Sequence, residues 1–362
     1  MFRTLPWLSL AVLACNGDTG DTGGAEGDAD TDADTDADTD AVESCTVVGQ
    51  DLADAGMAIW MSSPSDVWIV GADGAGDPGG PMMLHYDGST WTDHETGLVG
   101  KLQWVWSDGG DDIWAVGAGA KVVRYTKSTD SFEIETIADG RYILWGIWGA
   151  TADDLYAVAG ENSSALPGAI FHYDGDAWTQ VYEAPPDQGY QIYKIWGTAA
   201  DDIYAVGSAG FFAHYDGTAW SLIPSPTGVA TTMFTLHGAA GEITAVGGFN
   251  NAAAWHHDGT GWADDTPPPQ GTVPEFVGTF THPTHGTVAC GEAYGFGNGI
   301  WWRSGVADWT VDPRTVPVAE EWKFHACWLD DDGGVWAVGG NIDGALDKGQ
   351  IIYCGDATVS PL

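Results

Sequence analysis

The chain has 362 residues, 44% of them hydrophobic, which is ample for a large core. Eleven Lys and Arg stand against 52 Asp and Glu, a net charge of −41. Such a surface repels DNA, RNA and anionic headgroups, whose binding needs basic neutralisation, so no nucleic-acid partner is expected. At the amino terminus Arg3 precedes an apolar run, Leu5–Ala14. That is the layout of a secretory signal, and it falls short of the ~20 residues that cross a bilayer.

The run ends Val12-Leu13-Ala14-Cys15, which resembles the lipobox of bacterial lipoproteins. The resemblance implies a signal peptide over 1–14 and an acylated Cys15 that becomes the first residue and enters the lipid bilayer. Asn16 rather than Asp follows it, which by enterobacterial-type sorting points to the outer membrane. Residues 16–44 contain no basic residue, and Asp recurs at 28, 30, 32, 34, 36, 38 and 40. Like charges and a lack of large apolar groups predict a disordered, stretched linker over 15–44, with a reach of at most ~100 Å. Alternating Asp could offer oxygen ligands to calcium. The segment lacks the Gly turn and distal Glu of an EF-hand loop, so a spacer is the preferred reading and no cofactor is expected.

From residue 66 onward one phrase recurs. It reads Asp66-Val-Trp68-Ile-Val-Gly71, Asp112-Ile-Trp114-Ala-Val-Gly117, Asp154-Leu-Tyr156-Ala-Val-Ala159 and Asp202-Ile-Tyr204-Ala-Val-Gly207. Weaker copies close at Gly247, Gly291 and Gly339, so that successive closings are 46, 42, 48, 40, 44 and 48 residues apart. A period of roughly 40–50 residues built from short strands is that of a β-propeller blade, a unit that buries its faces only by stacking on neighbours. An all-β, seven-bladed propeller of four-stranded antiparallel blades is predicted over 45–362.

The fourth unit shows the pattern. Ile192–Trp196 reads as the inner strand, Ile203–Gly207 as the second, Phe211–Tyr215 as the third and Trp220–Ile223 as the outer one. Tyr, Ile, Val, Phe and Trp dominate the runs, and Gly and Asp punctuate them. A first-strand residue stands eight positions before a second-strand residue in six units: Trp60/Trp68, Trp106/Trp114, Trp148/Tyr156, Trp196/Tyr204, Phe280/Val288 and Trp328/Trp336. In the fifth, His237/Thr244 is one residue shorter. A fixed separation implies a fixed turn and register, and rings of this size are expected to wedge between blades.

Four units carry a second signature: His85-Tyr86-Asp87-Gly88, His172-Tyr173-Asp174-Gly175, His214-Tyr215-Asp216-Gly217 and His256-His257-Asp258-Gly259, each with a Trp three residues on. Asp-Gly suits a tight hairpin turn, because Gly accepts positive φ and Asp tolerates it. These turns resemble the Asp-box (BNR) turn of bacterial propellers, with Asp and Gly adjacent and His where Ser would stand. In that family the box is a folding element away from the active site, so the resemblance implies a structural role for these histidines and no metal site.

The seventh unit stops after Ile351–Asp356 without a fourth strand, while Cys45-Thr-Val-Val48 precedes the first unit without a blade. Pairing the two completes one blade from both ends of the chain and sets Cys45 beside Cys354. A disulfide there closes a loop of over 300 residues, which the chain-entropy argument values at about 5 kcal/mol as an upper figure. Lipidation of Cys15 leaves an even four cysteines, which suits two disulfides in an exported protein. Cys290 and Cys327 either pair across blades six and seven or remain two buried thiols.

In every blade the uniform turns share one face, and the second-to-third loops and blade crossings, which vary, share the other. Variable loops on a rigid scaffold are where binding residues usually sit. Lys101, Arg141, Arg314 and Lys323 fall on or near that face, with Tyr142, Tyr190 and Trp322 close by. They are the candidate binding set for an unknown protein or glycan. The preferred reading is a monomeric, non-catalytic binding or scaffold protein; the other is a glycan-active hydrolase or lyase with its site at the mouth of the central channel. A sialidase-like site needs three clustered arginines. Arg124 and Arg303 read as third-strand residues, leaving only Arg141 and Arg314 near the mouth. Catalytic residues are unknown.

Overall fold

The computed structural model describes residues 44–362, except 75, 77, 162–164, 250, 268–274, 293–298 and 317–322. The expected signal peptide, Cys15 and most of the acidic linker lie outside the described residues. The described chain forms seven four-stranded antiparallel sheets. In blades one to six the strands follow in chain order from inner to outer. Blade four, for example, takes Ile192–Ala199, Asp202–Gly207, Phe212–Tyr215 and Trp220–Leu222 in turn.

Blade seven is shared. Its inner three strands are Lys323–Leu329, Val335–Gly340 and Gly349–Cys354, and its outer strand is Thr46–Leu52 from the other end of the chain. Thr46 pairs with Tyr353 and Val47 with Ile352. This register sets Cys45 against Cys354, and the two form a disulfide across 309 positions of sequence. The expected closure is therefore present. Cys290 and Cys327, one from blade six and one from blade seven, are not bonded; they are two buried thiols in contact.

The second strand is the best-buried part of each blade, with its five residues after the leading Asp inaccessible in blades one, two and four. Its closing residue explains the Gly of the repeat. A Cβ on Gly207 would lie 1.9 Å from the Gln191 carbonyl oxygen, and one on Gly117 would lie 2.0 Å from that of Lys101. Only a hydrogen fits there. The residues eight apart prove to be direct cross-strand partners, from Trp60 opposite Trp68 to Trp328 opposite Trp336, and His237 faces Thr244 across its tighter turn.

Their rings fill the gaps between blades as expected. Trp60 and Trp68 pack with Leu102, Val105 and Ile113 of the next blade, and Trp148 and Tyr156 pack with Ile195 and Ile203. Seven such clusters join blades one to two, two to three, and so on to seven to one. Seven interfaces for seven blades make a closed ring, and burial of large side chains at roughly 1.5–3 kcal/mol each is what holds it.

The third-to-fourth turns are clasps. Asp216 accepts hydrogen bonds from the backbone N–H groups of Thr218 and Ala219, and Asp87 does the same with Ser89 and Thr90. The preceding histidine faces the second strand: His214 meets the Asp202 carboxylate at 2.7 Å, and its ring stacks on Tyr204 at 4.3 Å. His172 with Asp154 and Tyr156, and His85 with Asp66 and Trp68, repeat the arrangement. In blade two Arg124 takes the histidine's place, donating to Asp112 beside Trp114.

Candidate functional site

Regular pairing fails at one place in every blade. In the inner strand one extra residue interrupts the register with the second strand: Met57, Gln103, Trp145 and Tyr193 in blades one to four. Phe234, Val277 and His325 do the same in blades five to seven. A bulge turns a side chain out of the alternation of its strand. All seven bulge residues line a single cavity of about 280 Å³. The rest of its wall includes Lys101, Trp104, Lys194 and Lys323 from the same strands, with Phe249, Ile342 and Asp343 from second-to-third loops. The cavity thus opens on the variable face.

One side of the mouth is aromatic. Trp145 meets Tyr193 edge-on at 5.4 Å, Tyr193 stacks with Phe234 at 6.2 Å, and Phe234 meets Phe249 edge-on at 4.9 Å. Phe249, at the end of this arc, is 63% exposed. An exposed phenylalanine continuing a half-buried stack of rings presents apolar surface at the mouth.

Cationic groups stand beside these rings. Lys194 is 4% exposed; its ammonium lies 3.3 Å from the centre of the Trp104 ring and donates to the Trp145 carbonyl at 3.2 Å. The Lys101 ammonium stands 5.6 Å from the Trp145 ring centre. Neither lysine has a carboxylate within ion-pair distance among the described residues. Burial lowers both ammonium pKa values, that of Lys194 strongly. His325 donates from Nδ1 to the Met57 carbonyl at 2.6 Å. Burial and the positive charges of Lys194, Lys323 and Lys101 push its pKa down to about 3, so its ring is neutral.

Lys323 differs from the other two. It is paired with Glu275 and with Asp343 at 3.2 Å. Glu275, Glu292 and Asp343 bring carboxylate oxygens within 4.8 Å of one another, and the Lys323 ammonium neutralises two of these groups. Polar groups without partners complete the mouth: the Gln103 side chain, 1% exposed, has no hydrogen bond at either amide atom, and the buried Trp145 indole N–H has none.

Of the residues expected from sequence, Lys101 and Lys323 line the cavity. The others do not gather there. Arg141 is exposed and tied to Asp139. Tyr142 is buried, with its hydroxyl donating to the Pro167 carbonyl, and Tyr190 packs edge-on against Phe211. Arg314 is held by Asp312 and the Cys354 carbonyl near the disulfide. Trp322 lies outside the described residues. Gln103, Lys194 and the aromatic arc were not expected, although buried residues three apart, such as Leu102/Val105, Leu144/Ile147 and Ile192/Ile195, break the period of two and mark the bulges.

No family model matches the chain and no curated protein resembles it. Solved structures share its fold. YCF48 from Cyanidioschyzon merolae aligns with 86% of this chain and 98% of its own at a TM-score of 0.60 and 14% identity. A streptogramin B lyase aligns over 85% and 97% at 0.61 and 14%. The extracellular domain described as that of a hybrid two-component system of B. thetaiotaomicron aligns over 84% of this chain at 0.55 and 12% identity. The chain spans about 40% of that last chain's length. At such identities the likeness defines a seven-bladed β-propeller and nothing finer, since this fold carries unrelated functions.

Proposed function

We infer that the protein is a non-catalytic binding protein of the bacterial envelope, whose propeller receives an anionic group of a protein or glycan partner at its channel mouth. One observation carries the reading. In a chain of net charge −41, two lysines at one cavity have no carboxylate partner among the described residues, beside an unsatisfied amide. Desolvated cations are costly unless something neutralises them, and a ligand's anion does so.

The lipobox resemblance at Cys15 supplies the tether, and the acidic linker of 15–44 supplies a spacer from the membrane surface. The Asp-box-like turns belong to the folding machinery of the opposite face. The carboxylates nearest the mouth, Glu275 and Asp343, are engaged by Lys323, which favours binding over hydrolysis or lysis. The test is a pulldown and glycan array with the full chain. Retention of an acidic partner, lost in Lys101→Met, supports the reading; turnover of a glycan would replace it with the enzymatic one.

A further inference from the structure

We propose that the group entering the mouth is an acidic sugar ring, a hexuronate unit of a glycan; this rests on the binding reading above and names its ligand class. Three features of the cavity select it together. At about 280 Å³ the space lies at the small end of ligand pockets and admits one ring rather than an extended chain. The Trp145, Tyr193, Phe234 and Phe249 arc presents ring faces and edges against which the apolar C–H face of a pyranose lies flat. Lys101 and Lys194 supply two ammonium groups for its carboxylate, and charge-assisted contacts of this kind are the strong ones.

Gln103 decides between ligand classes. Its buried amide offers one donating and one accepting end, both without a partner, and leaving either unmet costs about 1–3 kcal/mol. A bare carboxylate only accepts, so it would satisfy the –NH₂ and leave the carbonyl oxygen unmet. Adjacent sugar hydroxyls both donate and accept, and match the amide at both ends. The Trp145 N–H finds an acceptor in the same ring. A peptide side-chain carboxylate answers to the lysines but not to the Gln103 oxygen or the breadth of the aromatic arc.

The experiment titrates the full chain with glucuronate, glucose, glutarate and inorganic phosphate, following tryptophan fluorescence and heat. Glucuronate is expected to bind saturably and glucose at least about tenfold more weakly, the loss of one charge-assisted contact. Gln103→Leu and Lys101→Met should each weaken glucuronate by a similar factor while the unfolding midpoint stays within a few degrees. Lys101→Gln, which also removes the charge, serves if the Met variant fails to fold. Glucose binding as tightly as glucuronate overturns the proposal. Glutarate or phosphate binding as tightly as glucuronate, with no effect of Gln103→Leu, overturns it too but leaves an anion-receiving mouth. Binding of none of the four removes both.

Discussion

The two ends of the propeller channel treat polar groups in opposite ways. On the clasp face each repeat histidine meets an acidic partner, and His85, His172 and His214 also stack on a ring, as His214 has Asp202 and Tyr204. At the mouth, among the described residues, Lys101 and Lys194 have no carboxylate partner, and the Gln103 amide and the Trp145 indole N–H have no hydrogen bond. A chain with so many acids could neutralise those lysines from many positions, as Asp312 does Arg314 and Asp265 does Arg303 at 2.6 Å. The contrast lies in charge: on one face histidines and Arg124 are paired with acids, and on the other two lysines have no carboxylate partner among the described residues.

That contrast predicts a hierarchy of damage. The largest loss belongs to ring closure: Cys45→Ser should cost up to about 5 kcal/mol, read as a fall in the chemical-denaturation midpoint without reductant. Next comes the close approach behind each second strand. Gly207→Ala, with its Cβ 1.9 Å from the Gln191 oxygen, should cost roughly 3 kcal/mol, measured the same way.

Acid should act through a buried histidine. His237 accepts the Thr281 N–H at Nδ1 and stacks on Phe280; burial lowers its pKa to about 3. The unfolded chain takes up the proton first, near pH 6.5. Stability is therefore full above that pH and falls as pH drops toward 3, by at most roughly 1.4 kcal/mol per pH unit for this group. His325 shifts the same way. Unfolding curves at pH 7 and pH 5 should show the loss, and His237→Leu should show less of it.

A single clasp is worth less. Asp202→Ala should cost about 1–2 kcal/mol, because it leaves His214 without its partner. The mouth should cost nothing in stability: Lys101→Met is expected within about 0.5 kcal/mol of the parent while binding falls. A clasp variant that abolished binding without unfolding would break the division between the faces.

The fold was legible because seven copies of one phrase report the same physical demands. A buried second strand needs apolar residues on both sides, its closely approached end carries Gly in six blades and the small Ala159 in the third, and four of the turns carry Asp-Gly. Closure was legible from what was missing, a fourth strand at one end and an orphan strand with Cys45 at the other. The site was only half legible. Lys101 and Lys323, at or beside the start of inner strands, line the cavity as they were grouped from the sequence, but Lys194 and Gln103 sit inside strands whose alternation suggested ordinary pairing. A bulge shifts the facing of one residue without altering composition, so its signal was the three-residue spacing of buried partners such as Ile192 and Ile195. Arg141 and Arg314 lie outside this cavity, and charge alone does not reveal that Asp139 and Asp312 already hold them.

The most direct test is a crystal structure of the full chain with glucuronate at saturating concentration. The account predicts one sugar in the cavity ringed by the seven bulges, its carboxylate within 3.5 Å of the Lys101 or Lys194 ammonium and hydroxyls on both ends of the Gln103 amide. An empty mouth, or a sugar seated on the clasp face, would contradict it.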